Sequence, residues 1–224
     1  MNRILWLAGA ALCLAGCASD GWKSYSGKPF EDSVFHVGPQ TIPGRVQCAY
    51  YDLGGEGVAY HDSDAINHGS GVLNPANGDY LNEFRMKEGV DISYIKFTTQ
   101  IDNNLYNLVA PPPGMLYVGW TEPGEWFNLT VNVKRAGLYT VDFLYTSNRG
   151  GTISLDRNGK PIEPPINVIS TKNDQDPVAW RQWHHWNVLH DAAEVRLPEG
   201  ISVLTVHLLT KGNMNLAYFD FRLK

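Results

Sequence analysis

Leu116 to Gly159 reads LYVGWTEPGEWFNLTVNVKRAGLYTVDFLYTSNRGGTISLDRNG, and its alternation decides the fold class. Phe127, Leu129, Val131 and Val133 alternate with Asn128, Thr130 and Asn132. Tyr139, Val141, Phe143 and Tyr145 then alternate with Thr140, Asp142 and Thr146. A period of two puts one set of side chains on a core and the other in water, which is the pattern of β-strands. Lys134-Arg135-Ala136-Gly137, Asn148 to Gly151 and Asn158-Gly159 supply turns, so the stretch is expected to be a three-stranded antiparallel meander. One buried face needs a second sheet to cover it, and the expected class is all-β, a two-sheet antiparallel sandwich.

The chain has 224 residues, of which 12% are aromatic and 18% charged. That length suits one large all-β domain. A net charge of -5 leaves no basic footprint, so nucleic acid is not an expected partner. Beyond residue 17 no stretch is long and apolar enough to span a bilayer as a helix.

Arg3 followed by the short apolar run Ile4 to Leu14 has the form of a processing signal. It ends in Leu14-Ala15-Gly16-Cys17, which resembles the lipobox of bacterial lipoproteins. The resemblance implies lipidation at Cys17 and a membrane partner reached through that lipid; each buried CH₂ of an acyl chain contributes about 0.8 kcal/mol. The alternative is an ordinary cleavable signal with a chance cysteine. Localisation is expected in a bacterial cell envelope, with Ala18 rather than aspartate after Cys17 favouring the outer membrane. Cys13 leaves with the signal, so Cys48 is expected to be a lone, buried, apolar thiol with no intrachain disulfide.

Residues 18–41 are polar and aperiodic and are expected to form a tether, with the domain running over 42–224. Asp52 to Val58 is a glycine-rich turn without the ending of a phosphate loop. His61, Asp62, Asp64 and His68 lie in a polar loop; metal binding is one reading, and capping and turning of the backbone is the favoured one. Leu73 to Asn82 and Ser93 to Gly114 read as insertions, the second ending in a stiff Pro111-Pro112-Pro113 segment expected at the surface. Trp180-Arg181-Gln182-Trp183-His184-His185-Trp186 is an aromatic cluster, with Trp186 expected in the core and Trp180 open to either place. In all, nine or ten strands and no helix are expected.

Several stretches together resemble the family 6 carbohydrate-binding modules. They are Ile42 to Arg45, GGEGVAYHDSD at Gly54 to Asp64, Gly89 to Ile92, VGWTEPGEWFNLTVNV at Val118 to Val133, AGLYTV at Ala136 to Val141, and NLAYFDF at Asn215 to Phe221. The resemblance implies a jelly-roll sandwich that binds polysaccharide and catalyses nothing. It also implies a cleft at one edge, where two aromatic rings grip a sugar and an asparagine bonds its hydroxyls. Carried over residue by residue, the asparagine is Asn215, one ring is Trp183 and the other is Phe84, which lacks the hydroxyl of the family's usual tyrosine. Trp120 and Trp126 match family positions that are mainly structural. The family often carries a structural calcium. Gln47 and Asp220 are the matching ligand positions, but the first strand lacks the acidic residues usual there, and calcium stays open. The chemistry stands apart from the resemblance: an aromatic face suits the C–H face of a pyranose, and amides suit its hydroxyls.

Three functions therefore compete. The favoured one is a lipid-anchored, non-catalytic polysaccharide binder, with glycoside hydrolases as partners on separate chains. The second is an envelope structural or assembly protein without sugar binding. The least favoured is a glycan-degrading enzyme using Glu122 and Glu125, whose carboxylates would have to face each other across a cleft.

Overall fold

The computed structural model describes residues 24–34, 38–97 and 100–224. The signal segment 1–17, with Cys17, and residues 18–23 lie outside the described residues. The strands are β1 (Gln40–Ile42), β2 (Gly44–Gln47), β3 (Tyr60–His61), β4 (Ser70–Gly71), β5 (Asn74–Pro75), β6 (Ile92–Tyr94) and β7 (Leu116–Val118). They continue with β8 (Trp126–Val133), β9 (Gly137–Ser147), β10 (Gly151–Arg157), β11 (Lys160–Val168), β12 (Asn187–Leu197), β13 (Gly200–Thr210) and β14 (Met214–Leu223). One short helix, α1 (Tyr80–Glu83), is capped by the Asp79 carboxylate, which accepts from the Leu81 and Asn82 N–H groups. Among the described residues that is the one α-helical turn, with short 3-10 turns at Cys48–Tyr50 and Ala179–Arg181, where no helix is expected.

Two six-stranded sheets face each other, as a sandwich requires. The first runs β1-β8-β13-β10-β11 with β3 also on β8, and the second β12-β9-β14-β7-β6 with β2 also on β14. Within them every pairing is antiparallel except β1 with β8. The expected meander is corrected. β8 pairs with β13 and β9 with β12 and β14, so the turn at 134–136 crosses from one sheet to the other. Alternation reports which side chains meet the core; it does not report which strand lies alongside. Only the Asn158-Gly159 turn closes a hairpin between neighbours, pairing Arg157 with Lys160; both turn residues have left-handed φ, 50° and 67°.

Leu129, Val131 and Val133 of one sheet and Tyr139, Val141 and Phe143 of the other are buried in the shared core. Asn128 and Thr130, expected in water, are buried too. Asn128 Nδ2 donates to the Val58 carbonyl at 2.9 Å, and Thr130 donates through Oγ1 to Asp52 Oδ2 at 2.6 Å. Their groups are hydrogen-bonded, which is the condition for burying them without large cost. Cys48 is buried and free, as expected.

The tether boundary at 41 is also corrected. Lys28 and Leu53 exchange backbone hydrogen bonds of 2.8 and 2.7 Å, Phe30 stacks on Tyr50 with ring centroids 5.2 Å apart, and β1 joins the first sheet. Polar composition hid a segment that is held by its backbone and by one buried ring. Of the triple proline, Pro111 is buried and only Pro113 is exposed.

The second insertion packs on the outside of the second sheet. Ile95, Val109 and Met115 join Tyr117, Leu144, Trp186, Ala217 and Tyr218 in a satellite core. The first insertion carries β5, which pairs with β4 just before it, and then enters α1, and both insertions reach the same end of the sandwich.

Candidate functional site

At that end a cleft of about 900 Å³ opens, within the size range of small-molecule sites. Its floor comes from strand ends: Tyr117 and Trp120 at and after β7, Asn148 after β9 and Asn213 before β14. One wall is the segment before β12, with Trp180, Trp183 and His184. The insertions make the rest, through Leu73, Asn74, Pro75 and Asn82, and through Tyr94, Lys96, Ile101 and Asp102. Three tryptophans thus face one cavity. Trp180 is 58% exposed, while Trp183 and Trp120 are half-buried. Trp120 holds a left-handed φ of 48°, a region that costs energy for a bulky side chain and that clusters at functional sites.

A hydrogen-bonded chain lies under the aromatic wall. His184 Nε2 is 2.6 Å from Asp102 Oδ1, and His184 Nδ1 is 2.8 Å from Asn215 Nδ2, which also donates to Thr146 Oγ1 at 2.9 Å. With the amide so oriented, Nδ1 accepts, so Nε2 carries the proton and donates to the carboxylate. Asp102 accepts two more bonds, from the Lys96 N–H at 2.8 Å and the Trp186 indole at 3.4 Å, and is fully buried. The chain ties the second insertion to the cleft wall. His185 points the other way, to Thr171 and Asp176. Arg181 grips Asp176 through two bonds of 2.6 and 2.8 Å, and its other arm donates to the Gln100 carbonyl at 2.6 Å. The Arg181 guanidinium, and then His185, hold the Asp176 carboxyl well below the usual carboxylate range.

No family model matches the sequence, and no curated protein matches it either. Solved structures do match. CBM6-3 from Clostridium stercorarium, in complex with cellobiose, aligns over 84% of this chain and 98% of its own at a TM-score of 0.50 and 14% identity. The fold is that of a CBM6-like β-sandwich. A β-1,3-glucan-binding CBM6 from Bacillus halodurans also matches, over 82% of this chain and 98% of its own, at 0.47 and 13% identity. So does a family 35 carbohydrate-binding module from Clostridium thermocellum, over 53% of this chain and 85% of its own, at 0.41 and 21% identity.

Within this CBM6-like sandwich the expected site residues separate. Trp183 lies in the cleft. Asn215 does not line it: at 1% exposure it sits beneath His184 and bonds that ring. Its Oδ1 is buried without a protein partner, and a methyl group on Gly119 would come within 2.8 Å of it. Phe84 is elsewhere. At 3% exposure it packs on Phe30, Tyr50 and Tyr80, because α1 turns its ring into the sandwich. It borders a separate, shallower cavity with Arg85 and Asp32. The aromatic residues that face the cleft beside Trp183 are Trp180, which the sequence leaves open to either place, Trp120, which the resemblance treats as mainly structural, and Tyr94 and Tyr117, which no motif singles out. A Trp close to two predicted insertions was the available signal. Trp186 is fully buried, as expected.

Gln47 and Asp220 do not gather a calcium cage. Asp220 stands opposite Arg45 on β2 and opposite Asp142 on β9, and Asp142 is already bonded by Arg222 and His190. Calcium wants six to eight oxygens with several carboxylates, and these residues do not fit it. Among the described residues no group of three or more His, Cys, Asp or Glu side chains is placed to hold a metal. The loop from His61 to His68 instead forms backbone turns, with Asp62 and Asp64 accepting from the N–H groups two residues on. Glu125 accepts from the Glu122 N–H at 2.8 Å and the Ser63 N–H at 3.2 Å. Neither glutamate lines the cleft, so this pair does not face a bound glycan there.

Proposed function

We propose that the protein binds carbohydrate in this cleft without catalysis, stacking pyranose faces on Trp183, Trp180 and Trp120. The observation that carries the reading is the convergence of three tryptophans from two separate chain segments on one cavity rimmed by the amides of Asn74, Asn82, Asn148 and Asn213. Rigid rings give contact area at low entropic cost, and amides donate and accept at once, as sugar hydroxyls require. The CBM6-like fold supports it. Among the described residues that line the cleft the one carboxylate is Asp102, and its hydrogen bonds to Lys96, His184 and Trp186 support a binding rather than a hydrolytic reading.

The same reading places the domain in a bacterial cell envelope, held by lipid on Cys17, facing polysaccharide that separate glycoside hydrolases process. Support for the anchor is the Leu14-Ala15-Gly16-Cys17 sequence behind an apolar run. Incorporation of a clickable fatty acid that Cys17→Ser abolishes is the expected result; equal labelling of the variant argues against it.

The binding test is a glycan array with the full chain in detergent, followed by calorimetry on the hits. Trp183→Ala is expected to weaken the best hit about tenfold, which corresponds to ~1.4 kcal/mol. Binding that survives both Trp183→Ala and Trp120→Ala places the site elsewhere. A folded chain that binds no glycan favours an assembly role.

A further inference from the structure

The cleft lining contains two charged residues, Lys96 and Asp102. They are not equivalent. Asp102 is fully buried, and its carboxylate is occupied by the Lys96 N–H, His184 and Trp186. The Lys96 ammonium is half-buried, lies 3.4 Å from the centre of the Tyr94 ring, and donates one short hydrogen bond to Asn74 Oδ1. An ammonium has three N–H donors, and among the described residues that bond is the one it makes, which leaves two for a ligand. Asp102 and Asp79 are the acidic groups close enough to act on it electrostatically, and neither forms an ion pair with it among the described residues. Asp79 already caps α1. Burial pushes the Lys96 ammonium down to about 8, the behaviour of a cation short of counter-charge. A cation removed from water without an anion is costly, and a ligand that brings one relieves the cost.

Resting on the carbohydrate-binding reading of this cleft, we propose that it selects anionic glycans, with Lys96 pairing a sugar carboxylate or sulfate while the neighbouring tryptophans stack the ring. Lys96 lies in the second insertion, two residues beyond β6, and Asn74 lies in the first, so the two insertions build the charged subsite together.

The test is calorimetric titration of the full chain in detergent with three length-matched oligosaccharides: an oligogalacturonate, a sulfated oligogalactan and the neutral oligogalactan. At least one anionic ligand is expected to bind ten times or more tighter than the neutral one, and to weaken as salt is raised. The two anionic arms distinguish carboxylate from sulfate. Lys96→Met is expected to abolish the anionic preference, and Lys96→Arg to keep it; thermal melts of both variants check folding. Equal or tighter binding of the neutral ligand overturns the inference while leaving the binding reading in place. A Lys96→Met variant that weakens neutral and anionic ligands alike also overturns it, because Lys96 then only braces Asn74. A folded chain that binds neither these ligands nor any array glycan overturns both readings.

Discussion

Trp180 and Phe84 show how exposure separates binding from stability. Trp180 is largely solvent-exposed beside the cleft, so Trp180→Ala is expected to move the urea midpoint by no more than ~0.5 kcal/mol of stability while weakening glycan binding severalfold. Phe84 is buried among three rings, and Phe84→Ala is expected to cost about 3 to 5 kcal/mol in the same unfolding measurement. The affinity of its folded fraction should stay within about twofold, because the ring touches no part of the cleft; calorimetry at low temperature reads this directly. The family resemblance puts Phe84 in the site and leaves Trp180 open to either place. Sequence position places a residue near a loop, but the direction of its ring is set by the turn it sits in, and α1 directs Phe84 inward.

At the scale of elements, the segment before β12 is held by buried charge and the first insertion by close backbone contact. Asp176 and Arg181 are both buried, and Asp176→Asn would leave the guanidinium without its counter-charge. The expected loss is about 3 to 5 kcal/mol by chemical denaturation, with raised hydrogen exchange over residues 171–186 and weaker binding through Trp183. Gly69 lies against β6 so closely that an added methyl group would meet the Ile92 carbonyl oxygen at 1.9 Å. Backbone cannot yield as a flexible side chain does. Gly69→Ala is therefore expected to lower the thermal midpoint and to loosen β4 and β5, which carry Asn74 to the cleft. An unchanged midpoint would show that the parallel β4–β5 pair is free to shift. The strands themselves were legible from alternation, and the Asn158-Gly159 hairpin from its turn residues. The pairing of β8 with β13 was not, since its partners, such as Leu129 and Leu204, are 75 residues apart in the chain.

For the whole molecule, the carboxyl groups divide by sign. Burial, and then the charge of Glu125, raises Asp62 to about 7; burial also raises Asp52, Asp91 and Glu125. A carboxyl whose folded pKa exceeds its unfolded value binds more protons in the folded state, so these groups add stability as pH falls from about 7 toward about 4. Asp142 and Asp176 act oppositely. Burial works against the Asp142 anion, but the Asp191 N–H, His190 and Arg222 outweigh it, and Arg181 lowers Asp176. Their stabilisation is complete above the ordinary aspartate range, about 4, and is lost as pH falls below it. The thermal midpoint is accordingly expected to rise from pH 8 to about pH 5 and to drop below about pH 4. Asp62→Asn should flatten the upper limb; a steep limb in that variant would assign the rise to other groups.

Alternating apolar residues and turn residues by themselves determined an all-β sandwich, the core-facing side of β8 and β9, and a buried, apolar Cys48. Those are local properties: each follows from a period of two or from one side chain's cost of hydration. Only the tertiary structure decided that β8 and β9 sit in opposite sheets, that Lys28, Phe30 and β1 belong to the domain, that Asn215 braces His184 rather than facing the cleft, and that Lys96, Asn74 and Trp180 meet there. Each of these depends on segments distant in sequence burying one another's surface, and such contacts leave no periodic trace in the chain that makes them.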